Sequence, residues 1–97
     1  MASALAEATF PPSRRADLLR RLAAGEHLTD ACRALGLSVH RVYRFRRYDG
    51  AWGEQLDAAL TAGRDPELAH GTEAAYRHAG CRCPECRAVH DACRRTA

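Results

Sequence analysis

Apolar positions recur at helical spacing along most of the chain, and glycines, prolines and small polar residues cut the pattern into short pieces. Ala16, Leu19, Leu22 and Ala23 form one stripe, widened by Leu18, on a helix expected over Arg14 to Ala24, with Ser13 as its N-cap and Gly25 at its end. A second, shorter helix follows, with Thr29 as N-cap and Ala31 and Leu35 one turn apart. Gly36 stops it, because glycine takes the positive φ of a helix end at no steric cost. Ser38 then caps a third helix expected over Val39 to Arg47. After a turn at Asp49-Gly50, Trp52, Leu56, Ala59 and Leu60 recur at i, i+4, i+7 and i+8 on a fourth helix that Gly63 terminates. Trp52 is read as core, since a single tryptophan in register with a leucine stripe packs inward.

The stop and restart between Gly36 and Ser38 forces the second and third helices to cross rather than run side by side as a long hairpin. On a helical wheel Val42 and Phe45 share one face of the third helix, Leu37 enters just before them, and all three can pack on Ala31 and Leu35. His40, Tyr43, Arg44 and Arg47 lie on the opposite face, Arg41 and Arg46 flank it, and no acid interrupts Arg41 to Arg47. Two crossed helices with the second strongly basic are the layout of a helix-turn-helix reader of double-stranded DNA. The four central residues are placed to reach base edges, and Arg41 and Arg46 suit phosphate contact.

Composition narrows this picture. Fifteen basic residues, all Arg, stand against twelve acids, a formal charge of +3. The charge is uneven: residues 13–62 carry nine Arg and six acids, and the rest is balanced. That concentration fits a nucleic-acid footprint. An all-Arg, Ala-rich chain also bears the mark of a GC-rich genome, so arginine at any single position says less than usual. The segment MASALAEATFPPS has neither a basic n-region nor an apolar run long enough for a signal peptide or membrane span, so a cytoplasmic, nucleoid-associated protein without membrane contact is expected.

Four of the five cysteines fall in the last seventeen residues, which in a reducing compartment points to a metal rather than to disulfides. Cys81, Cys83 and Cys86 form a CxCxxC array, and a helix opening at CPEC would let Cys83 and Cys86 grip one ion. A closed structural Zn2+ site takes four ligands, and spacing offers His70, His90 and Cys93 for the fourth. His90 lies one helical turn from Cys86; Cys93 lies two turns away, about 10 Å by helix rise, and is read as a small buried hydrophobe. Arg82 and Arg87 are either a second nucleic-acid contact or solvated surface. A redox pair would space its thiols differently, and catalytic zinc would need an open position with an acid in a pocket, so no enzyme is expected.

The tail HGTxxxYxxxGCRCxxCR, from His70 to Arg87, resembles a short zinc element of small actinobacterial and actinophage proteins. The resemblance implies His70, Cys81, Cys83 and Cys86 as metal ligands and Tyr76 as a core aromatic. Leu28 to Leu60 is similar to the homeodomain-like helix-turn-helix of resolvases, transposases and terminase small subunits, which implies that Phe45 anchors the recognition helix. Val39-His40 departs from the polar or basic residues usual there, so no base code transfers.

The expected fold class is therefore all-α: a three- to four-helix helix-turn-helix bundle followed by a small zinc-knuckle-like element. Four parts are expected: a flexible tail over 1–12, the DNA-binding domain over 13–62, a linker over 63–69 and the zinc element over 70–97. The expected function is a small transcription regulator of bacterial or phage origin. The alternative is an adaptor docking on RNA polymerase, a terminase-like packaging machine or a recombination complex. A lone recognition helix buries little, so a homodimer or partner protein is expected as well.

Overall fold

The first helix begins earlier than its capping pattern suggests. In the computed structural model, which describes residues 10–96, α1 spans Pro12–Ala23 and starts behind an extended Pro11, with no side-chain cap. Pro12 suits a first turn because its missing N–H would have had no partner there. Ser13 thus sits inside the helix and not at its cap. The tail residues before Phe10 lie outside the described residues.

The remaining described segments are helical or irregular: α2 (Leu28–Ala34), α3 (Val39–Arg44), a 3-10 turn (Phe45–Arg47), α4 (Gly50–Gly63), α5 (Glu73–Arg77) and α6 (Pro84–Thr96). Thr29, expected as a cap, lies one residue into α2, and His27 holds the N-cap position without a side-chain bond. Gly36 adopts φ 68° between α2 and α3, as the turn requires. Ser38 Oγ accepts the Arg41 N–H at 3.4 Å and opens α3 as expected. The recognition element is not one continuous α-helix to Arg47. It tightens into 3-10 geometry at Phe45, in the last turn where such tightening is common.

The core is built where α1 lies along α4. Leu18 and Leu22 meet Leu56 and Leu60 in one buried cluster that also takes Leu28, Ala31, Cys32, Val42, Phe45 and Trp52. Cys32 was not marked by the apolar pattern; its burial raises the thiol pKa to about 11, so it packs as a neutral hydrophobe. Gly63 lies against the end of α1 so closely that a Cβ there would stand 1.8 Å from the Leu22 carbonyl oxygen. Phe10, at the edge of the expected tail, is buried and meets Phe45 and Trp52 edge-on, with centroids 5.5 and 5.0 Å apart.

Beyond α4, α5 and α6 pair around a second, smaller cluster of Ala75, Cys83 and Cys86, bordered by Tyr76 and Cys81. α6 also touches α4. Among the described residues no helix is long and apolar enough to cross a membrane.

Candidate nucleic-acid interface and metal centre

The recognition element is fixed from below by Val42 and Phe45, both buried. The Trp52 indole N–H donates to the Val42 carbonyl at 3.0 Å, tying a backbone acceptor near the end of α3 to α4. Asp49 locks the following turn: one carboxylate oxygen accepts the Trp52 backbone N–H at 3.2 Å, and the other lies 3.5 Å from Arg15 of α1. The Arg15 guanidinium in turn covers the Phe45 ring, 4.9 Å from its centroid.

What remains outside is basic. His40, Arg41, Arg44, Arg46 and Arg47 are exposed, and Arg41, Arg44 and Arg47 form no ion pair among the described residues. His40, Tyr43, Arg44 and Arg47 line one shallow surface depression, so the four residues assigned to one face do share it. Tyr43 differs from its neighbours. Its hydroxyl is out of solvent, its ring borders the core, and Arg87 lies over it at 5.5 Å. Burial pushes its pKa up, against the opposing pull of Arg87 and Arg82. Arg46 also turns inward in part: its stem runs past Gly53, and its guanidinium comes within 3.9 Å of Asp57.

In the C-terminal part, His70, Cys81, Cys83 and Cys86 converge, all four donor atoms within 4.8 Å of one another. His70 Nδ1 lies 3.3, 3.7 and 3.5 Å from the sulfurs of Cys81, Cys83 and Cys86. Its other ring nitrogen, Nε2, is 2.6 Å from the Asp65 carbonyl oxygen, an acceptor that requires a proton on Nε2 and leaves Nδ1 with its lone pair toward the thiols. Two residues after His70, Thr72 caps α5 through its hydroxyl, which accepts the Ala75 N–H at 3.1 Å and donates to Ala69 O at 2.7 Å.

The thiols are electrostatically unlike. Burial pushes Cys83 up, but the Cys86 backbone N–H, the Arg64 guanidinium at 3.5 Å and the neighbouring thiols outweigh it and bring it down to about 6. Burial dominates at Cys81 and raises it to about 12. The Gly71 N–H points at Cys86 Sγ at 3.5 Å. An imidazole with a free lone pair and three sulfurs, one already favoured as thiolate, can hold a metal ion.

His90, the rival ligand, is engaged elsewhere. Its Nδ1 is 2.9 Å from Glu73, and its ring stacks on Tyr76 with centroids 3.8 Å apart. The His90 contact holds the Glu73 carboxyl below the usual carboxylate range. Cys93 is exposed, not a buried hydrophobe: the face of α6 that carries it runs past the end of the small cluster.

Arg82 and Arg87 fit neither expectation for them. Arg82 bonds the carbonyls of Tyr76 and Cys81 and covers the Tyr76 ring at 3.8 Å, bracing the loop that carries Cys81 and Cys83. Arg87, with a side chain 14% exposed, reaches out of the metal element to Asp57 on α4 at 2.5 Å. No sequence signal separated these two from the other arginines: the acceptors of Arg82 are backbone carbonyls, which any residue carries, and Asp57, the partner of Arg87, lies 30 positions away.

Fold and site together define a helix-turn-helix protein carrying a His/Cys cluster competent for a metal ion. Residues 12–51 match the family model of the homeodomain-like domain, which supports the helix-turn-helix and a DNA-binding role for that part of the chain. The match covers α1 through the start of α4 and leaves the metal element outside it. No curated protein and no solved structure matches the chain.

Proposed function

We propose that this protein is a sequence-selective DNA-binding regulator, of the kind found in bacteria and their phages, with a structural zinc ion holding its C-terminal part. The carrying observation is the exposed, unpaired row of Arg41, Arg44 and Arg47 beside His40, on an element whose opposite side is anchored in the core. Arg44 and Arg47, with His40, are assigned to base edges, and Arg41 and Arg46 to phosphates. Tyr43 borders the same depression, and its ring lies under the Arg87 guanidinium of the C-terminal part. One such element buries too little for tight and specific binding alone, so the regulator is assigned a dimeric mode on a two-fold site.

Zinc is favoured by the donor set and by distance. A tetrahedral ion with bonds of about 2.0 Å to nitrogen and about 2.3 Å to sulfur sets neighbouring N and S ligands about 3.6 Å apart. The three separations from His70 Nδ1, 3.3 to 3.7 Å, bracket that value. The ion would stabilise the fold of a segment whose own buried cluster is small.

Selection of bound duplexes from a random pool tests the reading. A defined motif is expected, with binding that weakens steeply as salt rises. The Arg44→Ala, Arg47→Ala double variant should lose base preference, at about 1 to 3 kcal/mol per base contact removed. Equal binding by wild type and this variant overturns the assignment.

A further inference from the structure

Asp57 on α4 stands between two guanidiniums from different parts of the protein. Its Oδ1 takes Arg87 of the metal element at 2.5 Å, and its Oδ2 faces Arg46 of the recognition element at 3.9 Å, beyond a direct hydrogen bond. Arg87 is held in place from both ends. It follows the ligand Cys86, its backbone N–H donates to the Cys83 carbonyl at 3.0 Å, and its guanidinium lies over the Tyr43 ring. With a side chain 14% exposed it has no access to a duplex, whereas Arg46 is 39% exposed.

We propose that Arg87 is a positioning residue for the DNA-reading surface: by occupying Asp57 it leaves Arg46 free to turn to a phosphate. A lone carboxylate this close to an arginine attracts it into a charge-assisted pair. With its charge already matched by Arg87, Asp57 holds Arg46 only loosely. The metal element thereby acts on the recognition element through one carboxylate, and a face that would otherwise carry a captive arginine presents it to DNA. This rests on the DNA-binding reading above, and it gives the C-terminal element a part in that activity beyond support.

The test compares wild type, Arg87→Ala, Asp57→Asn and the double variant for binding to a mixed-sequence duplex across a salt series, with metal content measured on each. Arg87→Ala should retain its metal, bind several-fold more weakly and show a log–log salt slope shallower by about 0.9, the signature of one fewer phosphate neutralised. Asp57→Asn alone should bind at least as tightly as wild type, and in the double variant it should restore the slope. A role confined to stapling predicts the reverse, with Asp57→Asn as damaging as Arg87→Ala and no rescue, and that result overturns the proposal. If Arg87→Ala loses its metal or its fold, Asp57→Asn decides alone, by the same sign. Wild type that binds no duplex at all overturns the DNA reading itself. The Arg46 Nε–H resonance of the free protein then decides the role of Arg87: slower exchange in Arg87→Ala supports capture by Asp57, and unchanged exchange refutes it.

Discussion

At the scale of single residues, His70 and His90 show what spacing leaves open. Both are within reach of the cysteines along the chain, and CxCxxC needs one of them. The choice falls to contacts made by the second nitrogen of each ring. His70 is turned by the Asp65 carbonyl so that Nδ1 faces three sulfurs, while His90 gives its Nδ1 to Glu73 and its face to Tyr76. Replacement of His70 by Ala should therefore abolish stoichiometric metal in native mass spectrometry, and replacement of His90 by Ala should leave it bound. Metal lost only on the His90 change would reverse the ligand assignment. The cysteine array was legible in the sequence because its three members stand within six residues; the partner that orients His70 was not, because a backbone carbonyl carries no sequence signal.

At the scale of elements, the turn chemistry was legible around the recognition element, whereas Ser13 and Thr29, expected as caps, lie inside their helices. Ser38, Gly36 and Asp49 act where their residue types say they should, because caps and turns depend on the few backbone bonds beside them. The Ser38 bond is long, so Ser38→Ala should cost about 0.5 to 1 kcal/mol, toward the low end for an N-cap, measured by urea denaturation. Element ends set by packing were less legible. Gly63 was read as a simple helix stop, yet its defining property is the approach of α4 to the Leu22 carbonyl. Gly63→Ala forces those helix ends apart and should lower the melting temperature well beyond the effect of an exposed Gly→Ala change; an unchanged melting temperature would refute the close approach. The 3-10 ending of the recognition element likewise escaped the sequence, since Phe45 and Val42 have to reach one core whatever the helix type.

At the scale of the whole molecule, two clusters of buried side chains meet through polar contacts. The large one belongs to the helix bundle and the small one takes in the cysteines of the His/Cys cluster. Arg87 to Asp57 and Arg87 over Tyr43 join them, and a cavity of about 260 Å³ lies along the seam, lined in part by Leu22, Leu60, Cys81 and Cys83. Removal of metal by a strong chelator should release about one ion per chain and melt α5 and α6, with the bundle retained; far-ultraviolet circular dichroism should show a partial loss of helicity. Duplex affinity should fall in parallel, because the melted element no longer carries Arg87 to Asp57. Helicity unchanged by quantitative metal removal would show that the small cluster stands without an ion.

By itself the sequence determined the helical class, the turn between α2 and α3, the inward and outward faces of the recognition element, and the cysteine array. Each of these rests on interactions within a few residues, where spacing and backbone chemistry suffice. Only the tertiary structure decided between the two histidines that spacing left open, brought Cys32 into the bundle core, and tied Tyr43 and Arg46 to α6 and α4 rather than leaving them wholly free. Those outcomes depend on residues up to 44 positions apart meeting across the fold, as Tyr43 and Arg87 do, and no local pattern records such meetings.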